Sequence, residues 1–278
     1  MTVGIIGLGL IGGSMAKSIR ARTAHHILGY DQSGDTMAAA LAGGAVDGVL
    51  DDKGLPACDL ILVALPPAAL VQWAEAHSAR IGGSAVLVDL CGVKREMHEA
   101  LSPIAARYGF TYVGGHPMAG KERGGFLHAC DDLFLGAPMI LTPGEAVDGA
   151  VLDSLRAFFL DIGFARVVLA APDTHDQVIA YTSQLAHITS SAYIKSPTAQ
   201  RHDGFSAGSY RDLTRVAELD EAMWTELFLA NAPYLAEELS LLIQNLTRYL
   251  NALNASDADT LRALLREGRI LKAAAEGN

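Results

Sequence analysis

Long uninterrupted apolar runs are missing from this chain. The strongest, residues 60–65, stops at Pro66-Pro67, far short of the roughly 18–20 residues that a membrane-spanning helix needs. Basic charge is also scarce: 21 Lys and Arg against 31 Asp and Glu leave a net charge of -10. Nucleic acids and anionic membranes both reward a basic surface, so neither is expected as the main partner. A small anionic substrate is not excluded, because a few local Arg or Lys residues decide that. Cysteine is sparse, with Cys58, Cys91 and Cys130 scattered and no CxxC spacing. That reads as reduced thiols without a metal site. The first apolar run starts at Thr2, which leaves no room for a charged leader, and the expected location is the cytoplasm.

Half of the 278 residues are apolar, enough to build one large core or two ordinary ones. Short apolar runs at residues 2–6, 26–30, 60–65, 85–90, 111–113, 139–141 and 165–169 are mostly separated by helix-length segments. Strands that are apolar throughout and alternate with helices predict an α/β Rossmann-type domain, a mostly parallel, doubly wound sheet covered on both faces. The pattern changes near residue 170. Ala171-Pro172-Asp173 looks like a junction, with Asp173 a candidate helix N-cap. Beyond it the spacing predicts helices over 173–195, 210–218, 220–253 and 257–275, with a loop over 195–209. The expected division is therefore residues 1–170, nucleotide-binding, and residues 171–278, an all-α domain. Within the latter, Leu235, Leu239, Leu242, Leu246, Tyr249 and Leu253 form a heptad-like seam. It can serve packing inside the domain or a subunit interface. The interface, and hence a homodimer, is the preferred reading.

Gly7-Leu8-Gly9-Leu10-Ile11-Gly12 follows a strand and opens a helix. In that context GxGxxG predicts dinucleotide binding. Gly7 permits the tight turn, Gly9 admits the pyrophosphate and Gly12 lets helix and strand pack closely. The helix N-terminus offers its amides to the phosphates. Asp31 stands 19 residues past Gly12, where a carboxylate accepts from the ribose hydroxyls and repels a 2′-phosphate. No Arg or Lys lies between Tyr30 and Lys53, so NAD is expected rather than NADP. Leu65, closing the strongest apolar run, is counted with the cofactor-side residues.

The second constellation is Gly114-Gly-His-Pro-Met-Ala-Gly120, after the run at 111–113. A histidine there sits at the C-terminal edge of a strand, where open α/β sheets place ligands. It can accept a proton as a hydride leaves.

With these residues in view, the chain resembles the prephenate/arogenate dehydrogenases of tyrosine biosynthesis. The resemblance rests on GLGLIGGS, on D-x-x-x-VK at Asp89–Lys94, on GGHPMAG, on His175-Asp176 and on Arg211-Asp212-Leu-Thr-Arg215. It implies a Rossmann domain followed by a helical dimerisation domain. It also implies NAD-dependent oxidative decarboxylation: a hydride leaves C4 of a cyclohexadienol, a base takes the hydroxyl proton, and the ring carboxylate departs as CO₂. By the same resemblance His116 is the base and Arg215 binds a substrate carboxylate, a role that suits a guanidinium fork. Arg211 is a candidate second anion contact, and His187 a substrate- or cofactor-side contact. Glu122 would tune His116 or gate access. Trp224 is either a pocket wall or a core residue.

Two positions depart from the family pattern. Gly92 stands where the family usually carries a serine that bonds both the catalytic histidine and the substrate hydroxyl. Gln184 and Ala186 stand in Ser183-Gln-Leu-Ala-His187, where Ser-His-Leu-Pro-His is usual. Gln184 still offers hydrogen bonds but cannot become a cation. Prephenate is the expected substrate and arogenate the alternative. A 3-hydroxyacid dehydrogenase or pyrroline-carboxylate reductase shares the layout but not GGHPMAG. A non-catalytic NAD-binding regulator finds support only in Gly92 and Gln184.

Overall fold

The structure is a computed structural model that describes residues 1–121 and 123–276. Its chain forms two compact units, Met1–Asn231 and a second from Ala232 on.

The first unit is built on one eight-stranded sheet. In chain order it comprises β1 (Thr2–Ile6), α1 (Leu10–Arg22), β2 (His26–Tyr30), α2 (Gly34–Ala42), β3 (Gly48–Val49), β4 (Leu60–Val63), α3 (Pro67–His77), β5 (Val86–Asp89), α4 (Arg95–Tyr108), β6 (Thr111–Pro117), β7 (Pro138–Pro143), α5 (Gly149–Asp161) and β8 (Arg166–Leu169). The strand order is β3-β2-β1-β4-β5-β6-β7-β8. β1 to β6 run parallel, and β7 with β8 runs against them. Chain direction across the sheet reverses between β1 and β4, which opens a crevice at their C-terminal ends.

The two-residue period of the strands explains the doubly covered sheet. Val3, Ile5, Leu60 and Leu62 enter one core, with Met15 and Ile19 of α1 and Phe158 and Phe159 of α5. Ile6, Ile61 and Val63 enter the other, with Leu70 of α3 and Met97 and Leu101 of α4. Both faces are apolar because both are buried.

Four helices follow in the same unit: α6 (Pro172–Ile179), α7 (Leu185–Tyr193), α8 (Gly208–Thr214) and α9 (Glu221–Ala230). α6 and α7 are joined by a π-helical stretch at Ala180–Gln184, an inserted turn of the kind that collects at functional sites. The second unit holds α10 (Ala232–Asn254) and α11 (Ala258–Glu276). Arg248 and Glu267 pair across them at 2.9 Å.

Several expected boundaries move. Asp173 lies in the first turn of α6 with Ala171 as cap; Pro172 fixes the first helical position instead. The helix expected over 220–253 is broken at Asn231. Pro233 can supply no amide to a helix running through it, and this was the available signal. β3, two residues long, is too short to show a period. β6 runs on to Pro117, so His116 belongs to a strand. Its backbone is paired opposite Ile140. Residues 195–209 contain a short 3-10 turn at Pro197–Arg201.

Candidate active site

The glycine loop fills the crevice at the end of β1. Gly7 has φ 82, and a methyl group there would come within 2.5 Å of the Ala64 carbonyl and 2.9 Å of Leu65 Cδ2. Only glycine tolerates both. Gly12 is tighter still, since its Cβ would stand 1.8 Å from the Gly7 carbonyl oxygen. Gly9, the N-cap of α1, differs. Nothing lies within 4 Å of its Cβ position, so the loop is open at that point. Asp31, just after β2, accepts from the Leu8 amide at 2.8 Å and from the Ser33 amide at 2.9 Å. These bonds hold its carboxylate beside the loop. Leu65 forms the wall on the β4 side, and its carbonyl accepts from the Cys91 thiol at 3.2 Å. Burial pushes that thiol far up from its ordinary pKa, which disfavours the thiolate.

Close packing places His116. A methyl at Gly115 would lie 2.7 Å from the Asp89 carbonyl, and one at Gly114 2.2 Å from Thr142 Oγ1. The two glycines let β6 sit flush between β5 and β7. His116 Nδ1 lies 2.8 Å from His175 Nε2, and His175 Nδ1 lies 2.7 Å from Asp176 Oδ1. The Asp176 carboxylate also accepts from the backbone amides of Lys94 and Arg95, each at 2.8 Å. A helix of the 172–231 segment is thereby bound to the N-terminus of α4. Burial holds His116 well below its ordinary pKa of 6.5, and the neighbouring His175 and Lys94 add to the effect.

Beneath the histidines is a buried ionic cluster. Lys94 Nζ pairs with Asp89 Oδ1, both side chains fully buried, and Tyr112 donates to Asp89 Oδ2 at 2.8 Å. Burial, then Asp89, raises the Tyr112 phenol well above its usual pKa. The role of this cluster is not evident from composition, although Asp89 and Lys94 are the fixed positions of the D-x-x-x-VK segment.

Gly92 faces the ring of His116. Its Cβ position is 3.9 Å from His116 Nε2 and 3.5 Å from Leu227 Cδ2 of α9. One turn earlier on α9, Trp224 packs against His187 with ring centroids 3.9 Å apart and the rings tilted by 32°. His187 donates from Nδ1 to the Ser183 carbonyl at 2.8 Å. Its pKa is lowered mainly by burial, and the Arg215 charge contributes. His116, Gly92, Leu227, Trp224 and His187 are thus linked through α9. Arg211 is exposed one turn before Arg215 on α8, and both line a groove with Gly208, Asp212 and Thr214.

Gln184 does not take the position expected of a substrate contact. It is 2% exposed. Its amide donates to the Leu227 carbonyl at 3.1 Å and accepts from Asn231 at 2.7 Å, while Asn231 also donates to the Asp176 carbonyl at 2.9 Å. A side chain committed at both ends ties the π-turn to α9. Glu122 lies outside the described residues. Glu226 of α9 was missed by sequence reasoning; it accepts from the Ala68 amide at 2.6 Å, at the N-terminus of α3. No group of three His, Cys, Asp or Glu suited to a metal occurs among the described residues.

Comparison with known proteins gives family matches over most of the chain. Residues 15–169 match the family model described as "Prephenate dehydrogenase, nucleotide-binding domain", and residues 171–267 match "Prephenate dehydrogenase, dimerization domain". The chain is 30% identical over 273 residues to a prephenate dehydrogenase of Bacillus subtilis, covering 94% of this chain and 72% of that one. A crystal structure of prephenate dehydrogenase from A. aeolicus in complex with hydroxyphenyl propionate and NAD+ superposes with a TM-score of 0.87 at 26% identity, covering 99% and 98% of the two chains. The structure of Synechocystis arogenate dehydrogenase gives 0.83 at 26% identity, covering 99% of both.

Proposed function

Since the chain belongs to the prephenate dehydrogenase family, we propose that it catalyses the NAD-dependent oxidative decarboxylation of prephenate to 4-hydroxyphenylpyruvate. The observation that carries this reading is the setting of His116. It lies at the C-terminal end of a central strand, engaged through Nδ1 by His175, with Nε2 facing the Cβ position of Gly92.

The open cradle at Gly9, the Asp31 carboxylate and the Leu65 wall fit a dinucleotide. NAD, when bound, would supply the acceptor for the hydride that leaves C4 of the substrate ring. Residues of this chain do the remaining work. His116 Nε2 accepts the proton of the ring hydroxyl, a role that needs the neutral imidazole its burial favours. Arg215 binds a substrate carboxylate, and Arg211 lends further positive charge to the same groove. His187 and Trp224 form an aromatic wall beside Arg215. Leu227 covers the site from α9 and excludes water from the reacting hydroxyl. The functional division falls near residue 170.

The protein works as a homodimer in the cytoplasm. The second matched region is described as a dimerization domain. Leu246 and Leu253 of the α10 seam are 56% and 60% exposed in the single chain, a surface that a second copy would cover.

The test is reduction of NAD, followed by the absorbance of the reduced cofactor, with prephenate and with arogenate. Turnover of prephenate at the higher kcat/KM supports the proposal. Preference for arogenate moves the assignment to the alternative, and turnover of neither rejects both.

A further inference from the structure

We infer that His175 and Asp176 are positioning residues for His116: they fix its tautomer so that Nε2 bears the lone pair, and they supply the negative charge that the protonated ring requires. The inference rests on the reading of His116 as the base, and it follows from hydrogen-bond accounting.

Asp176 accepts three bonds, from the amides of Lys94 and Arg95 and from His175 Nδ1. Backbone amides can only donate, and they occupy both carboxylate oxygens. The group is therefore an acceptor throughout, and His175 carries its hydrogen on Nδ1. A neutral His175 then presents a lone pair at Nε2. Its partner 2.8 Å away is His116 Nδ1, which must donate. His116 thus holds its hydrogen on Nδ1, the less common tautomer of a free histidine, and Nε2 is left as an acceptor. That nitrogen faces the Gly92 position. Reversal of any link in the chain would put a hydrogen on Nε2 and disable it as a base.

The charges make the second half of the argument. Asp89, Asp176 and Lys94 are all 0% exposed. Two carboxylates against one ammonium leave one surplus negative charge while both histidines are neutral. A proton arriving on His116 brings the cluster to zero. The charge that develops at the base therefore meets a compensating charge already in place, and no rearrangement is needed. His175 carries it through a hydrogen bond at each ring nitrogen.

The cluster is held rigidly. Asn231 bonds the Asp176 carbonyl and Gln184, and the Asp176 carboxylate caps the start of α4. Neither residue of the pair touches substrate in this reading, so both act through His116.

The test combines a spectroscopic and a kinetic arm on the full chain. In long-range 15N–1H spectra of protein labelled at histidine nitrogen, His116 and His175 are both expected as Nδ1–H tautomers. In Asp176→Asn, His175 should leave that form and His116 should lose its fixed tautomer. In His175→Gln, kcat should fall about ten- to a thousandfold, with KM and NAD affinity within about twofold of the wild type. An Nε2–H tautomer for His116 in the wild type overturns the inference. So does a His175→Gln variant with unchanged kcat, or one whose loss lies wholly in KM. The tautomers are read without substrate, so absence of turnover with either cyclohexadienol would reject the proposed function while the spectra still decide the positioning role.

Discussion

Gly92 and His116 stand side by side, the Cβ position of the glycine 3.9 Å from Nε2 of the histidine. That is ordinary van der Waals spacing, and Gly92 is not among the residues with positive φ. A serine can therefore be installed without strain, with its hydroxyl within reach of both the base and a substrate hydroxyl. One added hydrogen bond of about 1–3 kcal/mol in the transition state corresponds to about ten- to a hundredfold in rate. Gly92→Ser is expected to raise kcat/KM for prephenate by up to that factor. A fall would mean that the space beside Gly92 is itself required by the substrate.

Removal of the proposed base should give the complementary result. His116→Asn should lower kcat by about a hundred- to ten-thousandfold. NAD binding, followed by quenching of protein fluorescence, should be unaffected, because the glycine loop and Asp31 are built from other strands. Retention of more than a tenth of wild-type kcat would remove His116 from the mechanism.

The buried histidines are also expected to make stability depend on acid pH. Burial is the leading cause that lowers the pKa values of His98, His116 and His175 from 6.5. Below pH 6.5 the unfolded chain binds protons that the folded chain refuses, so stability is full above that pH and declines as pH falls through it. Each histidine kept neutral in the fold steepens the decline by at most about 1.4 kcal/mol per pH unit. Urea midpoints measured from pH 7.5 down to 5 should fall. In His98→Gln the fall should be shallower; an unchanged slope would show that His98 titrates normally.

Much of this site is legible in the sequence because its constraints are local. Gly7, Gly9 and Gly12 follow a strand, Asp31 ends the next one, and His116 is announced by its glycines. What is not legible is pairing between distant segments. Nothing in the spacing of residues 89–94 says that the Lys94 amide will meet Asp176, 82 positions on. Gln184 reads as a substrate contact because it replaces a histidine, yet its amide is consumed by Leu227 and Asn231. Those partners lie more than 40 residues away and are fixed only by packing. The break at Asn231 was signalled by Pro233, but the continuous apolar period across it masked the signal.

Gly9 and Gly12 of the loop are expected to carry separable roles, which single substitutions distinguish. Gly9 has φ -67 and open space at its Cβ position, so Gly9→Val should fold with Tm within a few degrees of the wild type and lose NAD affinity. Gly12→Ala would drive a methyl to 1.8 Å from the Gly7 carbonyl and should lower Tm even without cofactor. The overpacking cost is about 1–3 kcal/mol or more. Equal loss of Tm in both variants would show that Gly9 is a structural glycine and that the cradle lies elsewhere.

Asp31 is the residue we propose selects NAD over NADP. Its carboxylate is anchored by the amides of Leu8 and Ser33, which leaves its remaining acceptor capacity for a ribose hydroxyl and opposes a phosphate at the same place. Asp31→Ala removes both the acceptor and the repulsion, so NAD affinity should drop while NADP affinity rises or holds. Asp31→Asn keeps the shape and removes the charge. It should retain more NAD affinity than the alanine variant while still relaxing the exclusion of NADP. Dissociation constants for both cofactors, measured by calorimetry on the three proteins, give the ratio directly. If the NAD-to-NADP ratio were the same in all three, the Asp31 carboxylate would not be the residue that reads the ribose.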